Sequence, residues 1–261
     1  MSDVLIYEVE EGIAKVAINR PEIMNALNMD LMKALIETGE AIKADKSVRA
    51  VVLYGNGKNF CGGLDMSIFA AGEFVQLPER THGITNIYQQ VCWVWHEVPV
   101  PVIAAVHGSC VGGGLQIICG ADMRYIHPDT KMSIMEMKWG LIPDMAGTQL
   151  WKNFVREDVI RELTYTARIF TAKEGYDYGF VTKLTESPLE DAMETAKLIT
   201  TKNPDAIRAA KRMINLQANA GDEEGLMTES VEQQAIIGKP NQMEAVKANF
   251  EKRPPQFQDP A

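Results

Sequence analysis

The sequence predicts an α/β chain assembled from strand–strand–helix units and closed by a helical C-terminal region. Three observations point there. Residues 4–9 and 14–19 alternate around Glu10-Glu11-Gly12, a hairpin signature. Two short apolar runs, 50–54 and 102–106, read as buried strands, and glycine-rich turns follow each of them. From about residue 189 the pattern turns helical to near 250, in the pieces 192–200, 204–218 and 223–237, with breaks at Gly221 and Gly238-Lys239-Pro240.

Taken in order, Arg20-Pro21 ends the hairpin. Leu31, Met32, Leu35, Ile36 and Ile42 then recur at helical spacing within 28–44, with Asn28 as candidate N-cap. Strand 50–54 runs into Gly55-Asn56-Gly57 and a loop carrying Phe60-Cys61-Gly62-Gly63-Leu64-Asp65. The following stretch, with Gly72, Pro78 and Gly83, has no regular pattern. A helix is expected over 86–97, and Pro99-Val100-Pro101 leads into strand 102–106. Gly112-Gly113-Gly114 opens an apolar helix; a strand pair, 123–126 with 131–134, and a short strand near 181–184 follow. The expected division is a core of residues 1–194 and a helical oligomerisation region of residues 195–261.

With 261 residues and a net charge of -9, the chain lacks the basic patches of a nucleic-acid or membrane-surface protein. Its four cysteines have no metal-type spacing and read as buried free thiols; no metal site is expected. No secretory leader opens the sequence, and its longest apolar windows fall short of the ~18 residues that suggest a membrane span. A soluble, cytoplasmic protein is expected.

Two places can carry chemistry. The glycine turns at 62–63 and 112–114 can free backbone N–H groups for a developing negative charge, or can simply permit tight turns. Glu136 stands among methionines and an isoleucine, and Asp144 follows Ile142-Pro143. Carboxyl groups in apolar surroundings titrate upward and exchange protons near neutrality. The structural alternatives are an N-cap for Asp144 and a solvated edge-strand position for Glu136. Gln116, two positions after the last glycine, is an amide and cannot exchange a proton usefully. No phosphate-cradling lysine follows the glycines, and Ser109 beside His107 lacks the flanks of a nucleophile elbow.

Several ordered motifs then coincide: Asn19-Arg20-Pro21 with Met24-Asn25-Ala26-Leu27, the 60–65 loop, Pro101 to Gly108, Gly112-Gly113-Gly114 with Ala121-Asp122, Gly140-Leu141-Ile142-Pro143, and the tail Lys252 to Phe257. Over nearly its whole length the chain resembles the crotonase superfamily, the enoyl-CoA hydratases and isomerases. The resemblance implies a spiral of repeated ββα units with C-terminal helices that build a homotrimer or a dimer of trimers. It implies an acyl-CoA thioester substrate, with coenzyme A as part of the substrate and no other cofactor. The thioester oxygen would sit between the N–H groups of Leu64 and Gly113. Ala26, Gly62, Asp65 and Ile68 would line the coenzyme, and Lys252 and Phe257 would approach its nucleotide.

Hydratases of that family use two glutamates. Glu136 matches one; Gln116 stands where the other belongs. Asp144 resembles the aspartate of dienoyl-CoA isomerases. Dehalogenase-like members also have that aspartate, as a nucleophile, but pair it with a tryptophan at the position of Glu136. Four readings follow: double-bond isomerisation by Glu136 and Asp144, hydration by Glu136 with Gln116 positioning water, hydrolysis through Asp144, or non-catalytic acyl-CoA binding. The first is preferred, with Gln116 hydrogen-bonding to a carboxyl group or to substrate. The 66–98 region is expected to supply the acyl wall, with Trp93, Trp95 and Trp139 either shaping it or belonging to the core.

Overall fold

The computed structural model describes residues 4–68, 77–218 and 220–260. Strands β1 (Leu5–Glu10) and β2 (Ile13–Ile18) form the expected hairpin, which places Leu5, Ile13, Val16 and Ile18 in the core. β2 pairs in parallel with β3 (Ala50–Gly55), and β3 with β4 (Val102–Val106). A six-stranded sheet is completed by β6 (Met123–Ile126) and β9 (Lys183–Leu184), in the order β1-β2-β3-β4-β6-β9. A second sheet holds β5 (Ser109–Val111), β7 (Lys131–Ser133) and β8 (Phe170–Thr171), in the order β5-β7-β8.

This topology corrects one expectation. Segments 123–126 and 131–133 are consecutive strands but do not pair with each other; each joins a different sheet. The chain places one strand in the large sheet, turns, and places the next in the small one. β4 and β5 repeat that step, and so does the first unit, where Cys61 bridges to Cys110 just beyond β3. The repeated ββα spiral expected from the resemblance is thereby built from nonlocal pairings, invisible to local periodicity.

Helix α1 (Met29–Ala44) starts at Asn28, whose side chain accepts from the Leu31 N–H at 2.9 Å, the predicted cap and a contribution of about 1 kcal/mol. It packs on α2 (Ile87–Glu97), begun by a reciprocal capping box between Asn86 and Gln89. Helix α3 (Gly113–Cys119) is buried along its whole length. Four further helices follow: α4 (Gly147–Leu150), α5 (Glu157–Thr166), α6 (Ala172–Tyr178) and α7 (Pro188–Thr200). Of these, α5 and α6 fall in a stretch where no helix was expected.

The boundary expected between residues 194 and 195 falls inside α7. That helix lies on the large sheet, burying Ala192 and Ala196 against Ile13, Val52, Ile103 and Ala105. Helices α8 (Pro204–Gln217), α9 (Asp222–Ile236) and α10 (Pro240–Glu251) complete the fold. α8 is anchored by Lys211, whose Nζ donates to the carbonyls of Trp95 and Val100 and pairs with Asp122 at 2.7 Å. A buried ammonium satisfied this way fixes where the helix sits more than it adds stability. Among the described residues no helix is long and apolar enough to cross a membrane.

Candidate active site

The two glycine turns lie side by side because strand-like pairing draws them together. Cys61 N–H donates to Ser109 O at 2.9 Å, and Val111 N–H to Cys61 O at 3.2 Å. Gly63 and Gly112 then take positive φ values, +92° and +54°, which side chains rarely adopt. A Cβ on Gly112 would lie 3.9 Å from Gly63 Cα and 3.6 Å from Glu136 Oε1, so both turns and the first carboxyl group meet at one point.

They border a cavity of about 310 Å³. Leu64 and Gly113 both line it, and among the described residues neither N–H has an acceptor. Gly113 is the first residue of α3, where an N–H has no intrahelical partner. Two such donors on one cavity can stabilise an oxyanion.

Glu136 and Asp144 line the same cavity. Glu136 does not sit on an edge strand; it opens the 3-10 turn Glu136–Trp139. Burial raises its carboxyl group above the ordinary range, and the neighbouring Asp144 pushes it further up, while a hydrogen bond from Gln116 works against both. Asp144 is not a helix cap either, since α4 starts beyond it with Ala146 in the N-cap position. Burial raises Asp144 as well.

Gln116 is 1 % exposed and lies behind the cavity rather than in its lining. Its Nε2 donates to Glu136 Oε1 at 2.6 Å. Its Oε1 accepts from the N–H groups of Met145 and Gly147 at 2.9 and 3.0 Å. Those two donors fix which end of the amide faces Glu136. The amide hydrogen-bonds to a carboxyl group, as the sequence suggested, but its place behind the cavity argues against the water-positioning role. Glu136 Oε2 is left buried with no hydrogen-bond partner.

The residues of the comparison now have a frame. The sequence profile described as enoyl-CoA hydratase/isomerase matches residues 8–260. The chain belongs to the enoyl-CoA hydratase/isomerase family. It is 32% identical over 222 residues to the mitochondrial Δ(3,5)-Δ(2,4)-dienoyl-CoA isomerase of Rattus norvegicus, covering 81% of this chain and 67% of that one. It is 29% identical over 259 residues to the mitochondrial methylglutaconyl-CoA hydratase of Mus musculus, covering 97% and 81%. The crystal structure of an enoyl-CoA hydratase from Bacillus anthracis superposes with a TM-score of 0.90 at 26% identity, covering 98% of this chain and all of that one.

Within this enoyl-CoA hydratase/isomerase family member, the other expected site residues separate. Gly62 and Ile68 line the cavity. Ala26 and Asp65 do not; both are held by Arg20, whose Nη1 donates to Ala26 O and pairs with Asp65 at 3.0 Å, bracing the loop that carries Leu64. Lys252 and Phe257 line a different cavity with Thr201, Asn203 and Arg253, so one chain alone does not bring them to Glu136.

The cavity wall comes partly from the 66–98 region, where an acyl wall was expected, through Met66, Ile68, Leu77 and Tyr88, while residues 69–76 lie outside the described residues. Its other half, Met135, Trp139, Leu141, Ile142 and Met145, was not foreseen apart from Trp139. The signal was present, because these apolar residues flank the two carboxylates in sequence. Trp95 is fully buried core, and Trp93 stacks on His96 at 4.7 Å between ring centroids. His107 places Nε2 2.9 Å from Gly57 O, away from Ser109, so no triad forms there. All four cysteines are buried and free, and burial pushes the thiols of Cys61 and Cys119 up to about 12.

Proposed function

We propose that the protein isomerises a carbon–carbon double bond of an enoyl- or dienoyl-CoA, with Glu136 as base and Asp144 as acid. The observation that carries the assignment is the hydrogen bond from Gln116 Nε2 to Glu136 Oε1. An N–H donor favours the ionised carboxylate. Glu136 is thus kept as the proton acceptor of the pair, with Oε2 as its free oxygen. Asp144 receives no such side-chain bond among the described residues, and burial raises it, which supports its role as the acid.

Glu136 removes a proton from an acyl carbon, and the C–H electron pair moves through the conjugated system to the thioester oxygen. The N–H groups of Leu64 and Gly113 stabilise that charge. As the electrons return, Asp144 gives its proton to a distant carbon. One proton has left the acyl group and one has joined it, and the double bond has moved. No redox group takes part in these steps. Incubation with enoyl- and dienoyl-CoAs of several lengths, followed by ultraviolet spectra and mass, checks this: spectral change without mass change is expected. A gain of one water from crotonyl-CoA, at a rate matching or exceeding any isomerisation, would instead support hydration by Glu136 alone.

We also propose a homotrimer or dimer of trimers. In support, α9 buries none of its residues in the single chain and exposes Leu226, Met227 and Val231, with Ile214 exposed on α8. Contiguous exposed apolar surface of this kind marks an interaction site. Light scattering should give the mass of three or six chains, and Leu226→Glu with Val231→Glu should lower it. A wild-type monomer would contradict the proposal.

A further inference from the structure

The cavity's walls constrain the far end of the acyl group, given the reading above that this cavity holds it. Met66, Ile68, Leu77, Trp139, Leu141 and Ile142 supply apolar surface, and the polar side chains Glu136 and Asp144 are both acids. Among the described lining residues there is no lysine, arginine or histidine.

Cations close to the lining have partners of their own, and Arg20 pairs with Asp65, between Leu64 and Met66, at 3.0 Å. Arg80 donates to the carbonyls of Leu77, Pro78 and Ile84 and to Gln89 Oε1. Lys138 lies 5.6 Å from the Trp139 ring centroid and borders a separate surface cavity with Tyr165.

We propose that the cavity selects acyl groups whose far end is uncharged and apolar, and rejects those that carry a second carboxylate. A carboxylate drawn into this space would lose its water without gaining a cation, and would face the negative charge carried by Glu136. Met66, Met135 and Met145 on the wall are unbranched and adaptable, so apolar chains of different length and branching can be accommodated. Selection therefore falls on charge more than on length.

Calorimetric titration with hexanoyl-CoA and 5-carboxypentanoyl-CoA tests this, because the two acyl groups have equal carbon counts and neither requires turnover. At pH 7.5 the apolar ester is expected to bind at least about 30-fold more tightly. Equal or tighter binding of the carboxylated ester would overturn the proposal. Ile142→Lys places a cation on the rim, where Ile142 is 67 % exposed and folding is not at stake. The gap should then narrow about tenfold, roughly one charge interaction; an unchanged gap would remove the electrostatic basis. Apolar esters that bind with the expected preference but are never isomerised would leave this inference standing and overturn the isomerase reading. Neither ester binding more tightly than free coenzyme A would overturn both.

Discussion

Glu136 and Asp144 share one cavity and are held in contrasting ways. Glu136 is clamped: Gln116, from the glycine-started helix, grips one of its oxygens at 2.6 Å and leaves the other unpartnered. Asp144 sits on a turn that Gln116 grips only through the backbone, at Met145 and Gly147. Between those two donors lies Ala146, a non-glycine residue at φ +67°. Such a conformation costs about 1–3 kcal/mol and persists only where surrounding bonds over-determine it. One amide therefore favours the ionised carboxylate on one side and holds the backbone on the other. Under the proposed mechanism, two carboxyl groups in one apolar space acquire distinct roles from a third residue that itself transfers no proton.

The comparison breaks most severely when either carboxyl group is removed. Glu136→Gln and Asp144→Asn should each lower kcat for isomerisation by about 10²–10⁴-fold while leaving thioester binding measurable. Full activity in either variant would dissolve the paired scheme. A covalent acyl-aspartate found by mass spectrometry would reassign Asp144 as a nucleophile.

A smaller effect is expected from cutting the clamp. Gln116→Leu removes the donor that favours ionised Glu136, so the Glu136 carboxyl group should titrate higher. The limb of the kcat/KM profile that requires ionised Glu136 should move to higher pH, with kcat reduced about 10–100-fold. Loss of activity with an unmoved profile would mean that Gln116 is structural only. Gln116→Glu restores the pair of glutamates and should add hydration of crotonyl-CoA, read by loss of the conjugated thioester absorbance.

The smallest effect is on stability. A carboxyl group raised in the folded state is more easily ionised when unfolded, so its ionisation costs stability. That cost is absent below the unfolded value, grows as pH rises through it, and is complete above the folded value. Asp144→Asn should therefore raise Tm by about 2 °C at pH 8 and leave it unchanged at pH 3. A rise of equal size at both pH values would assign the gain to packing instead.

What the sequence made legible follows the range of the interactions involved. The Asn28 cap reaches three residues along the chain and was readable. The hairpin, α1, α2 and the glycine-started helix likewise rest on local pattern. Membership of β6 and β7 in separate sheets was not readable, because pairing with β4, β5 and β9 is decided in space. Glu136 and Asp144 could be picked out as acids in apolar company. For Gln116 the sequence offered a carboxyl group or substrate as partner and could not choose, since its partners lie 20, 29 and 31 residues away. The tie from Arg20 to Asp65 spans 45 residues and was likewise beyond local pattern.

The division of roles is tested most directly by deuterium wash-in, with the enoyl-CoA incubated in D₂O and recovered for mass analysis. If Glu136 is the base and Asp144 the acid, Asp144→Asn should still exchange the substrate proton while forming little product, and Glu136→Gln should do neither. Exchange that survives in Glu136→Gln and disappears in Asp144→Asn would reverse the assignment and contradict the account.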